Sequence, residues 1–391
     1  MSRMKVRFLG RRRDAGGVAV IAGILLSAGV LLGASALVVD VGQLYVEREE
    51  LQSAADAAAM AVALDCLHGR KDACESGTNA EHFADLNSRD GQSNVAEVCG
   101  DDFVDWLATC SDAEPDNLTA CIGDLPLNTT GWVKVRTSTE RSAAAGSRYI
   151  LSPTFAQTLA GGHNGTSVGA CSLVAWGAPD VSFAFAVCEN IYDEYTDDGE
   201  DLAPAPPAPG LAAYEHEFLW RPGVPYNGLC DDRGGSPYSD GRWPVRADFG
   251  WGDRDFMGDD CEVDMSHDYD TTQLAPDEPP FTPDECYFRL VDARDTTDPL
   301  PVLVYRQVSP DWFEIRGLAA FVVTGYRIEF RPDADSSITG DPCGPDTSVC
   351  ISGYFTGALI PGERLKPSDD WPYGTFGAAP DWGASIMQTV G

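Results

Sequence analysis

The chain has 391 residues, 43% of them hydrophobic, and sets 27 Lys plus Arg against 61 Asp plus Glu, a formal net charge of -34 at pH 7. Such acidity excludes nucleic acid and anionic lipid headgroups as partners for the bulk of the chain, while the apolar fraction suffices for one or two sizeable cores. Its 12 cysteines show no C-x-x-C and no zinc-ligand spacing, a usage that fits disulfides formed in an oxidising compartment.

Residues 1–14 form a basic tail with Arg3, Lys5, Arg7, Arg11, Arg12 and Arg13. Residues 15–39 then hold no charge. At about 1.5 Å per residue this run reaches roughly 37 Å as a helix, against a hydrocarbon core of about 30 Å, and is expected to be a transmembrane helix. Asp40, Glu47, Glu49 and Glu50 follow it with only Arg48 against them. The charge bias places the N-terminus in the cytoplasm and the bulk of the chain outside. A cleaved signal peptide is the rival reading, since Ala34-Ser35-Ala36 is a small-x-small site behind an apolar core. The run is longer than a signal core, and the helical pattern continues past the site.

That continuation, residues 40–66, reads as an extracytoplasmic amphipathic stalk helix. Val41, Leu44, Leu51, Ala55, Ala58 and Val62 recur at spacings of three, four or seven, one helical stripe that needs a partner surface outside the bilayer.

Residues 67–178 read as a small α+β module. "NAEHFADLN" is a short helix, "WVKVRTSTE" alternates as a half-buried strand, "SPTFAQTLAG" has Pro153 near a helix start and Gly161 past its end, and "TSVGACSLVAWG" is a second strand. In residues 179–210, "VSFAFAVC" is a further strand and "DDGEDLAPAPPAPG" an acidic, Pro-rich linker expected not to pack. Residues 211–391 are rich in Gly, Pro, Asp and aromatics, with short apolar runs at "PLPVLVYRQV", "GLAAFVVTGYRIEF" and "VCISGYFTG", and read as a mostly β, loop-rich, disulfide-containing domain. The overall fold class is α+β. Spacing makes Cys66 with Cys74 and Cys343 with Cys350 candidate disulfides, while the full connectivity stays open.

The stretch "AGGVAVIAGILLSAGVLLGASALVVDVGQLYVEREELQSAADAAAMAVA" resembles the N-terminal segment of TadG-like proteins of the Flp (Tad, tight adherence) pilus system. "ACSLVAWGAP", "CEN", "AAFVVTGYRI" and "CISGYFTG" are similar, more loosely, to segments of the actinobacterial branch of that family. The resemblance implies a single-pass protein of the pilus assembly locus, with a pseudopilin-like helix, an extracytoplasmic domain, and pilin-like or pilus-assembly subunits as partners. A pilin-type subunit needs one helix that leaves the membrane and continues into its head. Asp40 then marks the stop-transfer boundary, since charge is costly deeper in the membrane.

The chain departs from the family in two respects. Gly10, Gly16 and Gly17 lack a Glu at the fifth position beyond them, so no prepilin cleavage is expected. The Asp-x-Ser-x-Ser metal motif that many TadG proteins carry is broken at Asp180-Val-Ser182-Phe-Ala184 and, at Asp335-Ser-Ser337-Ile-Thr339, has too little chain behind it for a von Willebrand A domain.

Signals for catalysis are weak. Ser167 in Gly165-Thr166-Ser167-Val168-Gly169 fits G-x-S-x-G, but a strand follows where a nucleophile elbow needs a helix. The five His are scattered, and H-E-x-x-H and Walker A loops are lacking. Asp253, Asp255, Gly258 and Asp264 fall at EF-hand-like positions, with Met257 at a ligand position and no flanking helical pattern. The expectation is a non-enzymatic, single-pass, cytoplasmic-membrane component of a Flp/Tad-type pilus, with no cofactor or metal, whose stripe packs on pilin-like helices. An envelope-anchored hydrolase using Ser167 and a calcium-dependent adhesin are the alternatives.

Overall fold

The computed structural model describes residues 15–27, 30–89, 91, 93–101, 106–111, 121, 124–139, 166–220, 249–251, 261–265, 284–309, 312–328, 331–340, 349–360, 376–377, 380 and 382–390. Two helices open it, α1 (Ala15–Ser27) and α2 (Val30–Leu67). The expected span over 15–39 is therefore not a single described element. With 13 residues, α1 rises only about 20 Å, and α2 mixes its apolar residues with Asp40, Glu47, Glu49 and Glu50. Among the described residues no helix is long and apolar enough to cross a membrane.

Past α2 come α3 (Lys71–Ser76) and α4 (Thr78–Asn87), joined at Gly77, whose φ of 57° suits glycine. Three antiparallel strands follow: β1 (Ser93–Asp101), β2 (Gly131–Thr139) and β3 (Gly169–Gly177). β2 and β3 coincide with the two strands read from the sequence, but β2, expected half-buried, is buried on both faces from Val135 to Thr139, and β3 is buried throughout. β1 was not legible, because a bulge between Val95 and Glu97 shifts its register and breaks the alternation. The helix expected over 152–161 lies outside the described residues.

The chain then crosses to a second sheet: β4 (Val181–Cys188), α5 (Glu189–Thr196), a 3-10 turn at Leu211–Ala213, β5 (His216–Trp220), β6 (Phe249–Trp251), β7 (Glu262–Asp264), α6 (Asp284–Thr296), β8 (Leu300–Ser309), β9 (Trp312–Arg327) and β10 (Val349–Thr356). Its order is β5-β10-β9-β8-β4-β6, with β7 also on β4. Among the described strands of this sheet only β4 and β8 run parallel, and α6 lies on the connection between them. The apolar runs of the later chain are the strands β8, β9 and β10, so this region is mostly β. Helix α6 escapes a reading by composition, although Cys286, Leu290 and Ala293 bury one face at helical spacing.

The last two strands, β11 (Ala358–Leu359) and β12 (Ala384–Thr389), return to the first sheet, whose order is β1-β2-β3-β12-β11. Sheet membership thus runs across the expected segments: β4 from 179–210 joins the second sheet, and β12 from 211–391 joins the first. The Pro-rich stretch does pack at one point. Ala203 is buried, its N–H donates to Phe355 O at 3.0 Å, and its carbonyl accepts from Thr356 Oγ1 at 2.7 Å. Pro204 directly after it favours an extended backbone at Ala203, which keeps the N–H that a strand partner needs.

Two cores result. One lies between α2, α4 and the first sheet and is built on Ala54, Ala58, Ala59, Val62, Ala63, Ala80 and Ala84 against Val133, Val135, Val174 and Trp176. The other fills the second sheet with Phe183, Phe185, Phe218, Phe321, Phe355, Tyr192 and Tyr305 among aliphatic residues. β12 belongs to both, since Ala384 and Ile386 pack on the aromatic core and Met387 on the alanine core.

Candidate functional site

Helix α2 is divided between two environments. It has no Pro and is rich in Ala from Ala54 onward, so it runs unbroken for 38 residues. It stops where Gly69 takes a φ of 66° and Arg70 N–H turns back to Asp65 O at 2.9 Å. The Asp65 carboxylate, 2% exposed, opposes the helix dipole at this end and is held by Arg70 Nε and Asn79 Nδ2, both at 2.7 Å. A disulfide joins Cys66 to Cys74 across the same turn, so the end of α2 is tied to both α3 and α4.

The half of α2 from Leu51 onward lies on its own sheet. Leu51, Ala54, Ala55, Ala58, Ala59, Val62 and Ala63 are buried, and methyl-sized side chains let the helix axis approach the strands closely. Polar ties fix the register: Thr137 Oγ1 donates to Leu51 O at 2.9 Å, and Gln52 Nε2 donates to Cys171 O at 3.0 Å. The other half is different. Leu37 is 64% exposed, Val38 70% and Tyr45 67%, with Val39, Val41 and Val46 also open. On the opposite face Ala36 and Asp40 are buried. In α1, Val18, Val20, Ile21 and Ile24 are exposed as well.

The sequence stripe therefore splits. Leu51, Ala55, Ala58 and Val62 are covered by this chain's own strands, Leu44 is half-buried, and only Val41 remains available. Helical period shows that a face is apolar; it does not show what covers it. Val38 and Tyr45 were missed because they lie around the helix from the stripe, and Leu37, four residues before Val41, because it continues the stripe into a continuous apolar run where no periodicity sets a residue apart.

Of the other candidate residues, Cys350 is disulfide-bonded and Cys343 lies outside the described residues. Cys99–Cys110, Cys121–Cys171 and Cys261–Cys286 are further disulfides. Ser167 precedes β3, while Gly165 and most of the 253–264 segment lie outside the described residues. Ser182 Oγ donates to Phe183 O and Pro301 O, at 3.0 and 3.1 Å, as part of the β4–β8 pairing. Among the described residues no group of three or more His, Cys, Asp or Glu could hold a metal ion.

The titratable groups with displaced pKa values sit in structural settings. His68 is lowered by burial and by Arg70, against the pull of Asp65. His216 is lowered by burial, with Glu194 and Glu215 opposing, and stacks on Tyr195 at 3.8 Å. Asp193 is raised to about 6 by burial and by the neighbouring carboxylates Asp198 and Glu189. Glu215 accepts from Thr324 Oγ1 and Ser336 Oγ, pinning the 331–340 turn over the sheet.

The exposed apolar helix continuing into an embedded one is the feature with the clearest bearing on function. Comparison with curated proteins and with solved structures finds no match. Residues 16–65 match the family described as "Putative Flp pilus-assembly TadE/G-like", a stretch that runs from the start of α1 to the last turn of α2. Over that N-terminal segment the chain is similar to TadE/G-like proteins described as acting in Flp pilus assembly.

Proposed function

We propose that the chain is a non-enzymatic, membrane-anchored component of a Flp-type pilus assembly system, and that it engages pilin-like or pilus-assembly subunits through the exposed face of α2. The N-terminus lies in the cytoplasm and both sheets lie outside the membrane. The observation that carries this reading is the division of α2, whose first half keeps Leu37, Val38 and Tyr45 open while its second half is embedded in the head. Such a face is costly to leave in water and is satisfied by lipid or by another apolar helix. The uncharged run over 15–39, with basic residues before it and acidic ones after it, supports the anchor and its orientation. The disulfides support an oxidising exterior.

The test is deletion of the gene, with pilin quantified both in the membrane and in pili sheared from the surface. A fall in surface pilin with membrane pilin retained is the expected result. Leu37→Asp with Val38→Asp should reproduce it without unfolding the head, whereas Leu51 is unsuitable because its loss damages the chain's own core. Unchanged surface pili in the deletion strain would refute the assembly role.

A further inference from the structure

Asp40, Gln43 and Glu47 recur at spacings of three and four residues and so share one side of α2. Ala36 lies on that side too, and both it and Asp40 are 8% exposed. Glu47 is half-buried, and Gln43, the exposed one of the three, carries no charge. Each of the three polar residues has an interaction partner. The rest of the circumference is different. Leu37, Val38, Val39, Val41, Tyr45 and Val46 are 40–70% exposed, and at about 100° per residue they spread over an arc of about 200°. Gly42 falls inside that arc, where an added Cβ would meet nothing within 4 Å. Charge returns to the arc only at Arg48 and Glu49, both exposed.

The width of the arc selects its occupant. One apolar helix laid on α2 covers a stripe about 100° wide, half of what is open. Lipid has no fixed shape and covers all of it. Asp40 does not oppose this, because a charge is costly in a membrane where it faces lipid, and this carboxylate is turned to the buried side. Tyr45 joins an apolar ring to a polar hydroxyl, which suits the level where hydrocarbon gives way to headgroups.

We infer that outer-leaflet lipid covers α2 as far as Val46, so that the bilayer surface lies between Tyr45 and Arg48 rather than at Asp40. The inference rests on the membrane anchor proposed above and moves its outer boundary by roughly five to eight residues, or about 8 to 12 Å of helix. No water-exposed stalk then separates membrane from head, because α2 is embedded in the head from Leu51 onward. The head sits directly on the lipid surface, and contacts with other subunits through Leu37 and Val38 are made inside the bilayer. The lipid it suits is zwitterionic, since a chain at -34 is repelled by anionic headgroups.

The test uses the full-length chain in phosphatidylcholine vesicles, with Leu37→Cys, Val46→Cys or Ser53→Cys carrying a polarity-sensitive, thiol-linked fluorophore. The described cysteines are all disulfide-bonded, and the parent chain treated with the same dye sets the background. All three positions are exposed, Ser53 on the part of α2 that lies on the head, and unchanged thermal melting of each labelled chain reports an intact fold. Lipids brominated on their acyl chains should quench the labels at Leu37→Cys and Val46→Cys about threefold or more above that at Ser53→Cys. Aqueous iodide should quench in the reverse order. A Val46→Cys label that behaves like Ser53→Cys while Leu37→Cys is quenched puts the boundary back at Asp40, which overturns the inference and leaves the anchor standing. A blue-shifted Val46→Cys label that neither bromine nor iodide reaches is covered by protein, a second copy in these vesicles, and overturns it as well. If bromine fails to quench even Leu37→Cys, the anchor itself is refuted.

Discussion

The two cores solve the same packing problem with opposite side chains. Under α2 the buried face is largely alanine, whereas the second sheet is filled by aromatic rings such as Phe321, whose centroid lies 5.5 Å from that of Phe185 and 5.2 Å from those of Phe218 and Phe355. A helix that must run straight from an exposed half into an embedded half gains from small residues that let the strands come close. The second sheet, with strands as long as the 16-residue β9, gains more from large side chains, each of which buries a large area. Stability in one region is therefore set by fit and in the other by volume.

The largest test of that contrast is Phe321→Ala, which removes a fully buried ring. A loss of about 3–5 kcal/mol is expected from urea unfolding. Because β12 contributes to both cores, the unfolding should remain a single transition followed by fluorescence and by circular dichroism; two separated transitions would break the comparison into independent domains. Next comes Ala58→Leu. It adds apolar surface yet should cost about 1–3 kcal/mol, since the helix has no room to move away from the sheet. A neutral result would show that alanine is not needed for fit.

Smaller effects probe the edges of the two regions. Asp65→Ala removes the acceptor of Arg70 and Asn79 and should destabilise by about 1–2 kcal/mol, read by thermal melting. Asp193, raised to about 6 in the fold by burial, Asp198 and Glu189, acts in the opposite sense. The folded state holds this proton more tightly than the unfolded chain. Its stabilising effect is therefore complete below the usual aspartate range, near pH 4, and is lost as pH rises through about 6. Asp193→Asn should therefore stabilise at pH 7.5 by no more than about 1 kcal/mol, because the carboxyl is partly solvated, and make no difference below pH 4. Tyr45→Ser, on the open half of α2, should shift stability by less than about 0.5 kcal/mol. If head stability drops instead, that half is not an exposed surface.

Much of the fold was legible where local pattern and burial coincide. The alternation of "WVKVRTSTE" is β2, and the apolar runs of the later chain are β8, β9 and β10. The bulged β1, the helix α6 and the pairing of Ala203 were not, because each is stabilised by a neighbour distant in sequence. The candidate site was half legible. The stripe from Val41 to Val62 was visible as an apolar face, but its assignment to outside partners failed from Leu51 onward, where Val133, Val135 and Val174 belong to the core that covers it.

The sequence by itself determined the acidity of the chain, the uncharged N-terminal run, the continuous helix behind it, and the likeness to pilus-assembly proteins. These are properties of consecutive residues, and propensity, charge and period act over a few turns. Only the tertiary structure decided which half of α2 is embedded and that β12 returns to complete the first sheet. Both depend on contacts between segments more than 100 residues apart, such as Gln52 with Cys171 or Val390 with Leu173, and no local pattern specifies which of several apolar surfaces will meet.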